Sequence, residues 1–117
     1  MKIGVDVADV ERFYEVGDNF IKRVYTEDEI KYLHEFNSQA ERLAGFFCAK
    51  EAFLKALNRD IGGLSLKEIE VLHNENGEPK IKLYGEVKKM FNELPEKEIL
   101  VSISHSQKTA IAVVLLN

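Results

Sequence analysis

Apolar positions crowd the stretch Glu41–Leu57, ERLAGFFCAKEAFLKAL, so densely that they cover most of a helical circumference. It holds no Pro, and Ser38 lies three residues before Glu41, so the pattern predicts a capped helix. A helix apolar nearly all round is a buried central helix. At 100° per residue its charged side chains Lys50, Glu51 and Lys55 fall within an arc of about 140°. Glu51 and Lys55 are i, i+4 neighbours. Two readings compete for them: a narrow solvated strip, or a charged site in the wall of a cleft.

Before this helix, Lys2–Val7 alternates as a strand, with Ile3, Val5 and Val7 on one face and Gly4 and Asp6 on the other. A carboxylate among Ile and Val is costly to bury unless it is paired or binds a metal. Asp6 is therefore either a cap at the strand end or a metal ligand. Asp9 is the better cap for a helix beginning near Val10, which frees Asp6. Val10–Val16 reads as a short amphipathic helix carrying Arg12. Asn19–Tyr25 carries the adjacent pair Lys22 and Arg23, a positive spot that is either solvated or docks an acidic partner. Thr26-Glu27-Asp28-Glu29 is a capping box opening a helix through about Phe36.

Beyond it, Asn58–Gly63 is a turn with two glycines and Arg59, without a full phosphate-loop pattern. Glu68–His73 and Lys80–Tyr84 are strands around the turn Asn74–Pro79. Glu86–Asn92 makes a brief helix, and Leu94–Lys97 a loop with a proline. Ile99–His105 and Thr109–Leu116 form a final hairpin, with His105 where an apolar strand meets a polar turn. This order predicts an α+β fold, an antiparallel β-sheet packed against the long central helix.

Composition narrows the function classes. A chain of 117 residues fits a single domain, 1–117, and 45% apolar with 31% charged residues describes an ordinary globule. Net charge −4 argues against nucleic acid as the main partner. Cys48 can form no internal disulfide and lies among apolar neighbours, so it reads as core in a reducing compartment. No uncharged run is long enough to span a membrane, and no signal peptide is apparent. The cytoplasm is the expected location.

Five stretches, GVDVADVERF, RVYTEDE, LAGFFCAKEAFLKAL, GEPKI and VSISHS, follow in this order across nearly the whole chain. The series resembles the short, single-domain phosphopantetheinyl transferases, the holo-acyl-carrier-protein synthase family, and the resemblance implies that family's fold. It also implies transfer of 4′-phosphopantetheine from coenzyme A to a serine of an apo acyl carrier protein, with Mg²⁺, releasing adenosine 3′,5′-bisphosphate. Metal ligands would match Asp6 and Glu51. Coenzyme A contacts would match Lys50, Lys55 and His105, and Glu51 and Lys55 would carry the catalysis. Arg12, Lys22 and Arg23 would dock the carrier, and the resemblance implies a homotrimer with sites between subunits. Such a metal takes one or two protein carboxylates plus substrate phosphates. Glu51 or a water on the metal would be the base.

Two departures stand out. Phe46 occupies a position where the family carries Arg, and Arg42 or Arg59 is expected to substitute as the phosphate contact. Asn58-Arg59-Asp60-Ile61 replaces the family's Gly-Thr-Gly-Ile. A coenzyme A or nucleotide binding module without transferase activity, and a Mg²⁺-dependent phosphohydrolase, are the competing readings.

Overall fold

The computed structural model describes residues 1–58 and 63–117. Lys2–Asp9 (β1) leads through a 3-10 turn, Val10–Phe13, into two short helices, Asp18–Val24 (α1) and Glu27–Leu33 (α2). The central helix Gln39–Ala56 (α3) follows. A second 3-10 turn, Leu66–Glu68, opens the strands Ile69–His73 (β2) and Pro79–Leu83 (β3). The helix Gly85–Asn92 (α4) and the strands Ile99–His105 (β4) and Thr109–Leu116 (β5) complete the chain. The architecture is α+β: an antiparallel sheet of order β1-β5-β4 packs on α3, and β2-β3 forms a separate antiparallel pair.

β1 meets α3 backbone to backbone. A methyl group at Gly4 would lie 2.0 Å from the Ala52 carbonyl oxygen and 2.6 Å from the Ala56 nitrogen. Only glycine permits that approach. Small residues line much of the inner face, Gly4 and Ala8 from β1 and Ala110 and Ala112 from β5, with Asp6 among them, and Val114 and Leu116 complete the buried side of β5. The larger residues of β1 point outward, leaving Ile3 68% and Val7 60% exposed. Val5, Leu100, Ile111 and Val113 join them on one exposed apolar face.

Local signals explain most boundaries. Thr26 caps α2 in a complete capping box with Glu29. The helix ends at Leu33, short of Phe36, because Glu35 and Phe36 donate to carbonyls three residues back and tighten the last turn. Asp9 belongs to β1 and makes no cap bond, and Val10 donates to the Lys108 carbonyl at 2.9 Å. That bond extends the strand edge, and only a 3-10 turn follows where the amphipathic pattern predicts an α-helix. Ser38 stands at the N-cap of α3 without a side-chain cap bond. Cys48 is free and buried. Among the described residues no helix is long and apolar enough to cross a membrane.

Candidate active site

Asp6 reaches the surface where β1 runs along α3. The Lys55 ammonium donates to its Oδ1 at 2.8 Å. Asp6 is largely shielded and Lys55 half exposed, so the pair sits at the lip of the site with the ammonium turned to solvent. Glu51 stands one helical turn before Lys55 and is partly buried. Burial raises the Glu51 carboxyl above its ordinary value and the charge of Asp6 raises it further, while Lys55 and Arg12 oppose. Cys48 lies beneath: burial first, then the charge of Asp6, pushes its thiol up to about 12 and keeps it protonated. Asp6 and Glu51 thus offer two hard oxygen donors with a cation beside them. That set fits Mg²⁺, which takes one or two protein carboxylates and leaves its other positions to water and phosphate. Among the described residues no group of three or more His, Cys, Asp or Glu side chains could hold a metal ion.

A second cavity, about 160 Å³, is lined by Tyr32, Arg42, Phe46, His73, Pro79 and His105 among others. Tyr32 and His73 stack with ring centroids 4.3 Å apart and planes 4° from parallel, and Phe46 stacks on both. The Arg42 guanidinium lies 3.6 Å over the Phe36 ring. Arg42 Nε and His73 Nδ1 are buried without a hydrogen-bond partner. Burial and the neighbouring Arg42 charge hold the His73 imidazole below its ordinary value. His105 Nδ1 is 3.3 Å from Glu41 Oε2 at the rim.

The family model of the 4′-phosphopantetheinyl transferase superfamily matches residues 2–114. The holo-(acyl-carrier-protein) synthase of Caldicellulosiruptor saccharolyticus is 41% identical over 112 residues, 94% of this chain and 90% of its own. The chain belongs to this superfamily. Two solved structures of holo-(acyl-carrier-protein) synthases overlay on it. That from Helicobacter pylori, in complex with coenzyme A, gives a TM-score of 0.85 at 32% identity, covering 98% of this chain and 99% of that one. That from Bacillus anthracis, in complex with CoA (3′,5′-ADP), gives 0.82 at 32% identity, covering 98% and 94%.

This member of the superfamily separates residues that the helical wheel grouped together. Lys50 is fully buried and points into the core. Its ammonium donates to Glu29 Oε1 at 2.7 Å, the Val24 carbonyl at 2.8 Å and the Leu66 carbonyl at 3.0 Å. With all three hydrogens engaged and no exposed surface, Lys50 is not available to a coenzyme A phosphate here, contrary to the expectation from its motif. The charged strip thus reduces to Glu51 and Lys55. Arg59 lies outside the described residues.

Of the three basic residues, Arg12 lies nearest the carboxylates. Its guanidinium sits 5.5 Å from the Phe13 ring centroid and 5.6 Å from that of Phe47, close enough to lower the Glu51 carboxyl electrostatically. Arg23 rims an apolar cavity of about 420 Å³ walled by Phe20, Phe47, Leu64 and Leu66. Lys22 lines a separate open groove between α1 and the start of α3. Sequence reasoning missed His73 and Tyr32, although His73 ends a strand before a polar turn, the same signal that singled out His105. It also read Glu29 only as a cap.

Proposed function

We propose that residues 1–117 form one phosphopantetheinyl transferase domain. It transfers 4′-phosphopantetheine from coenzyme A to a serine hydroxyl of an apo acyl carrier protein in the cytoplasm, supporting fatty acid biosynthesis. The observation that carries this reading is the convergence of Asp6, Glu51 and Lys55 at the β1–α3 contact. In the reaction, the serine Oγ forms a bond to the phosphorus nearest the pantetheine. The bond from that phosphorus to the bridging oxygen breaks, and its electron pair leaves with adenosine 3′,5′-bisphosphate.

Each residue has a role in that step. Asp6 and Glu51 would hold Mg²⁺, which when bound neutralises charge growing on the pyrophosphate oxygens. Lys55 brings a mobile point charge to the same phosphates. Glu51, or a water held at the same site, would accept the serine proton. The cavity of Arg42, His73 and His105 suits the phosphorylated nucleotide end: the Arg42 Nε–H is buried without a partner, and its guanidinium offers the permanent charge lost with Arg at position 46.

Arg12, Lys22 and Arg23 would meet the acidic carrier, with the apolar cavity beside Arg23 receiving an apolar side chain. The exposed face of Ile3, Val5, Val7, Leu100, Ile111 and Val113 supports a homotrimer, because a contiguous apolar sheet face marks a contact surface. Phe46 favours one rival, a coenzyme A binding module without transfer. Intact-mass spectrometry of apo carrier incubated with the protein, coenzyme A and Mg²⁺ separates the two. A gain of one phosphopantetheine, lost with EDTA and with Glu51→Ala, is expected. Tight coenzyme A binding without any gain would leave the binding module.

A further inference from the structure

Lys50 and Glu29 form the only ion pair among the described residues with both side chains fully buried. Glu29 also accepts from the backbone nitrogens of Thr26 and Val71, each at 2.8 Å. The pair therefore ties α3 to α2 and β2, and through Lys50 to the end of α1 and to Leu66. A buried ion pair is weak as a source of stability, since two ions must leave water to form it. Its directionality is the more useful property.

We propose that Lys50 and Glu29 are positioning residues that fix the rotation of α3 about its axis and so set Glu51 and Lys55 against Asp6. The inference rests on the function proposed above. α3 is apolar around most of its surface, with buried residues on every side from Leu43 to Ala56. The hydrophobic drive that holds α3 on the sheet is non-directional, whereas hydrogen bonds have fixed directions. Gly4 fixes how closely β1 approaches α3. The three hydrogen bonds of Lys50 have fixed directions and act on the residue next to Glu51. A turn of about 20° moves a Cα at the helix radius of about 2.3 Å by about 0.8 Å, and a side-chain carboxylate farther. Displacements near 1 Å cost on the order of 100-fold in rate.

The test is the double variant Lys50→Met/Glu29→Gln, which removes both charges at similar volume, whereas Lys50→Met alone would strand a buried carboxylate. The double variant is expected to melt cooperatively, with kcat for transfer reduced roughly 10- to 100-fold and KM for coenzyme A within twofold of the parent. In its crystal structure the Lys55–Asp6 pair, 2.8 Å in the parent, lengthens beyond hydrogen-bond reach. An unchanged kcat with that pair intact overturns the proposal. A large rise in KM at constant kcat also overturns it, because Lys50 would then be a phosphate contact.

Should the double variant not fold, Glu29→Asp keeps the charge but shortens the reach. It is expected to lower kcat at constant KM, and parental kcat overturns the proposal. If the parent itself transfers nothing to any apo carrier, the functional reading fails. The Lys55–Asp6 separation in the variant then decides the positioning claim alone: retained overturns it, lost supports it.

Discussion

Lys55 and Asp6, 49 residues apart in sequence, form an ion pair with the ammonium half exposed and the carboxylate largely shielded. An exposed pair of this kind contributes about 0–1 kcal/mol to stability. Its charge matters more to a phosphate. Lys55→Ala is expected to leave the melting temperature nearly unchanged while lowering kcat/KM for transfer on the order of 100-fold. Thermal melts and steady-state kinetics on the same preparation check both halves.

Arg42 supplies the permanent charge in the cavity of His73 and His105. Losing one charged hydrogen-bonding partner costs about 1.5–3 kcal/mol, so Arg42→Ala is expected to raise KM for coenzyme A at least tenfold with little change in kcat. With coenzyme A lacking its ribose phosphate, parent and variant should have the same KM. A variant KM equal to the parent's with coenzyme A itself would remove Arg42 from the site.

His73 makes stability depend on pH. Burial and Arg42 hold its folded value below the unfolded one, about 6.5. Between those values the unfolded chain binds more protons, so stability rises with pH there and is lost as pH falls from about 6.5 through the lowered folded value. His73→Phe should flatten the dependence of melting temperature on pH in that window. An unchanged slope would show that another group carries it.

Gly4 sets the distance between β1 and α3. Gly4→Ala puts a methyl group 2.0 Å from a backbone oxygen, with no flexible side chain to yield. Destabilisation of at least about 1–3 kcal/mol is expected, read as a shifted urea midpoint. Gly45→Ala, which meets only the Ile103 Cγ2 at 2.9 Å, should cost less.

Val5 lies in the middle of the exposed apolar face. Val5→Lys should shift sedimentation equilibrium from trimer to monomer without unfolding the subunit. If the parent already sediments as a monomer, the homotrimer is wrong.

The residues that could be read in sequence were those whose signal is local. Thr26 and Glu29 announced their capping box, the final hairpin has the bounds its alternation predicts, and α3 differs from expectation by two residues at its start and one at its end. The wheel put Lys50 beside Glu51 because angle is all a wheel contains. The neighbour that decides the matter, Glu29, arrives from α2. The outward turn of Ile3, Val5 and Val7 was equally hidden: alternation sorts a strand into two faces but does not say which one meets the helix. Here Gly4 decides, because α3 rests directly on its backbone.

The strand at the centre of the main sheet, β5, pairs with β1, the first strand in sequence, and with β4 just before it. Without residues 109–116, β1 has no edge in this sheet to pair with, and α3 has only part of the floor on which it packs. The Asp6–Lys55 lip therefore depends on a pairing between strands at opposite ends of the sheet's sequence, whose loop-closure entropy must be met before the contact stabilises anything. A chain lacking residues 109–116 would hold Asp6, Glu51 and Lys55 and none of their arrangement.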